Sequence, residues 1–186
     1  MARIVRHHDR ERNAAALKRA SVRILGIDPA LRTTGYGAIE RSDGRVRLVE
    51  AGVVVPRANA ALECRLAELH AAICEVIAST KPALVVIEDL YTSYTNPRTA
   101  VIMGHARGVI CLASAQAGVA VHSLGHARVK RALVGSGSAR KEQVNAMVTT
   151  LLGLRTSPKP NDVSDALALA LAFLNVFERH EVAGVR

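Results

Sequence analysis

Two short apolar runs that each end in a carboxylate are the strongest constraint on the fold of this chain. The first run, ILGI at residues 24–27, is followed by Asp28, and the second, LVVI at residues 84–87, is followed by Glu88. A fully apolar run of this length is typical of a strand that is covered on both faces of a sheet. The sequence therefore predicts two buried strands that each present an acid at the C-terminal end.

Two more acids, Asp162 and Asp165, open a long apolar segment near the C-terminus and are spaced to share one face of a helix. Taken singly, each acid could be a turn residue or a helix cap. Taken together, they resemble the oxygen ligands of a pair of Mg²⁺ ions, which would offset the cost of gathering the charges and suit hydrolysis of a phosphate ester. Because neighbours on a strand point to opposite faces, Glu88 and not Asp89 is expected to join Asp28. The predicted catalytic and metal-binding set is Asp28, Glu88, Asp162 and Asp165.

Hydrophobic periodicity divides the rest of the chain into alternating elements. It predicts strands at residues 22–28, 34–40, 45–55, 84–88 and 119–123, and helices at residues 59–80, 97–117, 126–134, 138–152 and 162–178. Ser138 is the predicted cap of the fourth helix, and Ser42-Asp43-Gly44 is the predicted turn between the second and third strands. This order predicts an α/β, ribonuclease H-like fold, with a five-stranded mixed sheet of three antiparallel and then parallel strands flanked by helices. The first and fourth strands are expected side by side.

Length and composition fit a single domain at residues 21–178, with a basic extension at residues 1–20 and a short tail at residues 179–186. The net charge of +9 remains positive without the extension, which favours nucleic acid as a partner, although solubility alone is the other interpretation. No apolar stretch approaches the roughly 20 residues of a membrane helix, and the basic N-terminal segment is not expected to be a secretory signal because no apolar run follows it. The three cysteines form no CxxC pair, which predicts reduced core thiols in a cytoplasmic protein.

The chain resembles the RuvC family of Holliday-junction resolvases over about residues 22–175. Five stretches carry the resemblance in the family's order and spacing: ILGIDPALRTTGYG (24–37), VVIEDLY (85–91), GHARGV (104–109), RVKRALVGSGSARKEQV (128–144) and NDVSDALALALA (161–172). The resemblance implies a homodimer that cuts two opposed strands of four-way junction DNA in recombination and repair. It also implies two Mg²⁺ or Mn²⁺ ions per subunit, held by the four carboxylates named above, and the RuvA–RuvB branch-migration complex as a partner.

One residue departs from the family pattern, which usually has a glycine where this chain has Ala30. If that position requires a positive φ, alanine costs about 1 kcal/mol and shifts the turn that follows Asp28.

Four further residues are predicted to contact DNA. Tyr91 matches an aromatic position of the family and is expected to stack on an exposed base, with loop packing as the alternative. Lys130 and Lys141 match basic positions near the family's cleavage site and are expected to grip the scissile strand and offset charge on the phosphate. Arg140 belongs to the same basic stretch. A solvated basic face is the alternative for all three cations.

The sequence leaves three other functions open. The first is a ribonuclease H-like nuclease that acts on RNA or on RNA–DNA hybrids. The second is a phosphotransfer domain of the actin and sugar-kinase type, which would need a second domain of similar size. The third is a junction-binding module without activity, which four intact acidic positions do not favour. The favoured mechanism is metal-assisted hydrolysis that leaves 5′-phosphate and 3′-hydroxyl ends.

Overall fold

The computed structural model describes residues 21–89 and 97–183, with side chains described for residues 21–89 and 98–176. The predicted extension at residues 1–20 and Tyr91 therefore lie outside the described residues. The strands are β1 (Val22–Asp28), β2 (Thr34–Ser42), β3 (Arg45–Val54), β4 (Leu84–Glu88) and β5 (Ala120–Leu124). The helices are α1 (Leu62–Thr80), α2 (Pro97–Gln116), α3 (His126–Val134), α4 (Lys141–Leu151) and α5 (Asn161–Ala183).

The five strands form one mixed sheet in the order β3-β2-β1-β4-β5. Strands β1, β2 and β3 are antiparallel neighbours, whereas β4 is parallel to both β1 and β5. This arrangement confirms the predicted mixed sheet and the predicted contact between the first and fourth strands.

Three predicted element boundaries differ from the structure by three residues or more. Helix α1 begins at Leu62 rather than at residue 59 because the residues before it form a turn, closed by a bond from the Ala60 N–H to the Arg57 carbonyl. Helix α4 begins at Lys141, so the prediction that Ser138 caps it is wrong. The Ser138 N–H donates to the Ser136 hydroxyl at 3.3 Å, and the two hydroxyls lie 3.0 Å apart within the preceding turn. Helix α5 continues to Ala183, beyond its predicted end.

The conformations of the two loops that flank β2 are explained by a few residues in each loop. Asp43 and Gly44 have φ values of 53° and 73°, which is the geometry of a two-residue hairpin turn between paired Ser42 and Arg45. Ala30 is not among the positive-φ residues of the described chain, so the absence of glycine there causes no strain. Its N–H donates to the Thr34 hydroxyl at 3.3 Å, which closes the loop after β1.

The core lies in two layers, one on each face of the sheet. Helices α1 and α2 cover the face that carries Leu25 and Ile27, whereas α3, α4 and α5 cover the face that carries Ile24. All three of these strand residues are buried. Since side chains alternate along β1, Gly26 and Asp28 point to the same face as Ile24. Asp28 therefore points toward α5.

Glycines allow α5 to lie directly on the sheet. A Cβ atom at Gly26 would come within 1.9 Å of the Ala166 carbonyl oxygen, and one at Gly35 within 2.1 Å of the Asp162 carbonyl oxygen. Gly37, which pairs with Gly26 across β1 and β2, is less crowded, since its built Cβ would lie 2.5 Å from Cδ2 of the Leu167 side chain. The backbone of α5 thus rests on strand backbone with no side chain between them, and this contact fixes how close the helix comes to β1.

Two further observations bear on the composition. Within the described part of the chain, no helix has both the length and the apolar character needed to cross a membrane. The three cysteines are free thiols, but the prediction that all of them are core residues is wrong for Cys64, which is exposed on α1.

The contact between α5 and Gly26 predicts that substitution of glycine by alanine changes the stability very differently at different positions. Gly26→Ala should lower the free energy of unfolding by about 3 kcal/mol because its methyl group overlaps backbone atoms that must shift to make room. Gly104→Ala is the matched control: it lies within α2, no heavy atom lies within 4 Å of its built Cβ, and alanine should stabilise the helix by about 0.5–1 kcal/mol. Urea unfolding monitored by circular dichroism measures both changes, and equal midpoints would contradict the packing argument.

Candidate active site

Asp28 and Glu88 meet at the C-terminal edge of the sheet. Residues Ile27 and Ile87 are partners in the parallel ladder between β1 and β4, so the next residue of each strand stands at the same level. Both carboxylates line one cavity, which they share with Asp165 of α5. The structure therefore brings together acids that are 60 and 77 residues apart in sequence.

Glu88 faces this cavity, whereas its neighbour Asp89 does not line it. The Asp89 side chain is 60% exposed, and its Oδ1 lies 3.9 Å from Arg107 Nη2. The choice of Glu88 over Asp89, made from strand alternation, therefore agrees with the geometry.

The two acids of α5 differ in their position. Asp165 lines the cavity, and Asp162 stands in the first turn of the helix, over Gly35. Because Gly35 is the β2 partner of Asp28, that turn lies beside the Asp28 backbone. Asp162 does not line the cavity itself, but its charge acts on Asp28.

Asp28 is the central carboxylate of the group. Its pKa is raised from 3.8 to about 7, mainly by burial and then by the charges of Glu88, Asp165 and Asp162, with a smaller opposing effect of Lys141. A carboxyl group with this pKa is held where its negative charge is poorly compensated. All four predicted acids are thus coupled electrostatically through Asp28.

The predicted basic residues divide into two groups. Lys130 and Lys141 both line the cavity, and Lys141 Nζ donates to Asp165 Oδ2 at 2.6 Å. Partial burial alone would lower the pKa of Lys141, but the hydrogen bond and charge of Asp165, with the charges of Asp28 and Asp162, raise it. Arg140 is exposed at the N-cap of α4 and does not line the cavity; its backbone N–H donates to Gln143 Oε1 at 2.9 Å.

Two residues that sequence reasoning did not assign to the site contact Glu88. His126 Nδ1 lies 3.0 Å from Glu88 Oε1, and the ring lines the same cavity. On the other side of the sheet, Arg107 Nη1 donates to the Glu88 carbonyl oxygen, and its Nη2 donates to Ser123 Oγ at 2.6 Å. The sequence did carry a signal for His126, since it follows the end of β5 by two residues and β5 is parallel to β4.

The donor set suits a divalent cation. Carboxylate oxygens are the ligands that Mg²⁺ and Mn²⁺ prefer, and the raised pKa of Asp28 marks a place where positive charge would stabilise the ionised form. As the described side chains are oriented, no three of the His, Cys, Asp and Glu groups could hold a metal ion together. Asp165 is instead paired with Lys141, so its carboxylate would turn toward Asp28 to bind an ion, whereas Glu88 is bonded to His126 through Oε1.

Comparison with known proteins identifies relatives over most of the chain. Residues 24–173 match the family model "Crossover junction endodeoxyribonuclease RuvC". The chain is 48% identical to the protein of that name from Rhodopirellula baltica over 148 residues, which cover 80% of this chain and 83% of the relative. It is similar to the Thermus thermophilus RuvC structure, with a TM-score of 0.78 and 32% identity over 86% of this chain and 97% of that one. It is also similar to T. thermophilus RuvC in complex with Holliday junction substrate, with a TM-score of 0.77 and 31% identity over 85% of this chain and 96% of that one.

The raised pKa of Asp28 predicts that the metal-free protein loses stability as the pH rises. The folded state keeps the proton up to about pH 7, whereas the unfolded chain releases it near pH 3.8, so the free energy of unfolding falls between these values. Mg²⁺ should therefore raise the Tm more at pH 8 than at pH 5.5. Asp28→Asn should stabilise the metal-free protein at pH 8 by about 1–2 kcal/mol and reduce the gain from Mg²⁺.

Asp89→Asn is the matched control for this experiment, since Asp89 is exposed and does not line the cavity. Differential scanning calorimetry at both pH values, with and without Mg²⁺, measures the change in Tm of the native protein and of each variant. The explanation is wrong if Asp28→Asn leaves the pH dependence as it is in the native protein.

Proposed function

The chain belongs to the RuvC family of crossover junction endodeoxyribonucleases, and we propose that it resolves four-way DNA junctions by hydrolysing two opposed phosphodiester bonds. It is an endonuclease with the ribonuclease H-like fold, and the family's cleavage depends on a metal. The observation that carries the proposal is the convergence of Asp28, Glu88 and Asp165 on one cavity, with Asp162 acting on Asp28. The relatives compared above are junction endonucleases, which does not favour the alternative of RNA or RNA–DNA hybrids as substrate.

The metal ligands in this proposal are Asp28, Glu88, Asp162 and Asp165, with two Mg²⁺ ions, or Mn²⁺, per subunit. A divalent cation there supplies positive charge to the phosphate and lowers the pKa of water. Asp28 is the shared ligand because the charges of the other three acids all act on it. Its position at the end of a central strand keeps it rigid, as metal-site geometry requires.

Lys130 and Lys141 hold the DNA strand at the site in this proposal. Both line the cavity, and the raised pKa of Lys141 keeps it charged at neutral pH. In the present arrangement Lys141 compensates Asp165, and a bound cation would release its ammonium group for a phosphate oxygen. Arg140 contacts the backbone further along the strand in this proposal, which its exposure at the start of the same helix supports. Tyr91 retains its proposed stacking role.

A homodimer is supported by the exposed face of α2, which we define as Val101, His105, Gly108 and Leu112. These residues are all exposed and are spaced by four, three and four positions, which places them along one stripe of the helix. Val101 and Leu112 are 59% and 52% exposed, which is unusual for large apolar side chains. Core packing accounts for the buried small residues of α2, but a Cβ built at Gly108 has no heavy atom within 4 Å. A second copy of this chain would cover the stripe.

Other features complete the proposal. We assign the nuclease domain to residues 21–178, with residues 1–20 as a basic extension and residues 179–186 as a tail. The reaction takes place on chromosomal DNA in the cytoplasm, downstream of a RuvA–RuvB branch-migration complex. The positive net charge of the chain supports attraction to DNA at this step.

The proposed activity predicts a separation of binding from cleavage. Asp28→Asn should bind a synthetic four-way junction within about threefold of the native affinity and cut it roughly 10³-fold more slowly, because it removes a group needed only for chemistry. Gel-shift measurements in Ca²⁺ and single-turnover cleavage in Mg²⁺ give the two quantities. Asp89→Asn should retain both activities. Unchanged cutting by Asp28→Asn would remove Asp28 from the site, and preferred cleavage of an RNA–DNA hybrid would overturn the substrate.

The proposed dimer face gives a second prediction. Leu112→Glu should shift the protein from dimer to monomer, because it places a charge on the apolar stripe of α2 without disturbing the core of the protomer. Leu151→Glu, at another exposed apolar position, on α4, is the matched control and should leave the assembly unchanged. Analytical ultracentrifugation measures both. A dimer that persists in Leu112→Glu would place the interface elsewhere.

A further inference from the structure

We propose that His126 is a positioning residue for Glu88, holding its carboxylate in the orientation in which it binds metal, while Arg107 fixes the main chain at the same residue. The inference rests on the proposed role of Glu88 as a metal ligand and extends it to two residues outside the carboxylate set. The observation that carries it is that Glu88 is contacted at both ends, through its side chain by His126 and through its carbonyl oxygen by Arg107.

The topology brings His126 to Glu88 by a short path. Glu88 is paired with Leu124 in the parallel ladder between β4 and β5, and the Asp89 N–H donates to the Leu124 carbonyl at 3.0 Å. Gly125 then follows, and α3 begins at His126. The imidazole is therefore carried by the first residue of a helix whose next turn is buried in the core through Val129. A side chain on such a rigid support can hold its partner in one place.

The main chain of Glu88 is held from the opposite face of the sheet. The Arg107 side chain is only 17% exposed, and its guanidinium joins the Glu88 carbonyl to Ser123 of β5. This contact ties α2 to the ends of β4 and β5. With its backbone fixed, Glu88 keeps the rotation of its own side chain as the main freedom that remains.

The contact with His126 removes that freedom. An ionised carboxylate can only accept hydrogen bonds, so Nδ1 of the ring is the donor and Glu88 Oε1, at 3.0 Å, is the acceptor. The bond occupies one of the two carboxylate oxygens and leaves Oε2 for a cation. Hydrogen bonds of this kind orient metal-ligating carboxylates, and their loss typically weakens metal binding or activity by 10- to 100-fold.

A solely structural role would predict a different outcome from substitution. The His126 side chain is 60% exposed, so its loss opens no cavity in the core and should leave the Tm nearly unchanged. The Glu88 side chain is 29% exposed, so a hydrogen bond to it is less open to competition from water. The expected effect of removing His126 is therefore on metal affinity rather than on folding.

The test is a titration of the protein with Mn²⁺, followed by electron paramagnetic resonance in the absence of DNA. His126→Ala should bind Mn²⁺ about tenfold more weakly than the native protein. His126→Asn should recover most of the affinity, because its amide can donate from near the position of Nδ1. His70→Ala, which removes a histidine from α1, on the opposite face of the sheet, is the matched control and should bind as the native protein does.

A double-mutant cycle with Glu88→Gln separates action through Glu88 from any other effect. His126→Ala should weaken Mn²⁺ binding no further in the Glu88→Gln background. Native affinity in His126→Ala, equal losses in His126→Ala and His126→Asn, or additive losses in the cycle would each overturn the proposal. Native affinity in Glu88→Gln would remove Glu88 from the metal site and the role of His126 with it. Because no DNA is present, the titration remains readable even if junction cleavage is not observed.

Discussion

The site depends on the direct contact between the backbone of α5 and the glycines of β1 and β2. Asp162 and Asp165 belong to this helix, and their distance from Asp28 is set by how closely α5 approaches Gly26 and Gly35. Any side chain at these glycines would move the helix away from the sheet and with it two of the four acids. The same contact also buries Ala166 and Leu167, so the residues that shape the core and those that carry the charge share one helix. The free energy gained by burying apolar residues holds the carboxylates together against their mutual repulsion.

Among the described residues, Glu88 and Asp165 have hydrogen-bonded partners, whereas the Asp28 carboxylate has none. Glu88 is contacted by His126 and Asp165 by Lys141, whereas Asp28 is affected mainly by burial and by its acidic neighbours. The poorly compensated negative charge of Asp28 lowers the stability of the metal-free protein. The same charge favours the binding of a divalent cation. The link between α4 and α5 adds to this arrangement, because the Ser164 hydroxyl donates to Asn145 Oδ1 at 2.8 Å and so keeps Lys141 beside Asp165.

Much of the fold could be predicted because its elements have strong local signals. The runs that form β1 and β4 are wholly apolar, the hairpin has Asp43-Gly44 at its turn, and α1 ends just before Pro82. Strand alternation also sufficed to choose Glu88 over Asp89. Boundaries were less certain where side chains compete for the same backbone groups, as at Ser138, whose amide bonds back to Ser136 within the turn. The exposure of Cys64 could not be predicted, because it depends on which face of α1 meets the sheet.

The residues around Glu88 show why a site is harder to predict than the fold that carries it. Asp28 and Glu88 were expected together because the first and fourth strands lie side by side, and the parallel pairing of β4 with β5 brings His126 to the same edge of the sheet. A histidine offers no charge signature and no metal-ligand spacing along the sequence, so that consequence is visible only once strand order is known. The contact of Arg107 is harder to predict from sequence, because its partner is a backbone carbonyl, which every residue has. Side-chain chemistry can be inferred from sequence pattern, whereas contacts to the main chain follow from the packing of α2 against β4 and β5. The orientation of the Glu88 carboxylate thus depends on residues that no motif of acids would have identified.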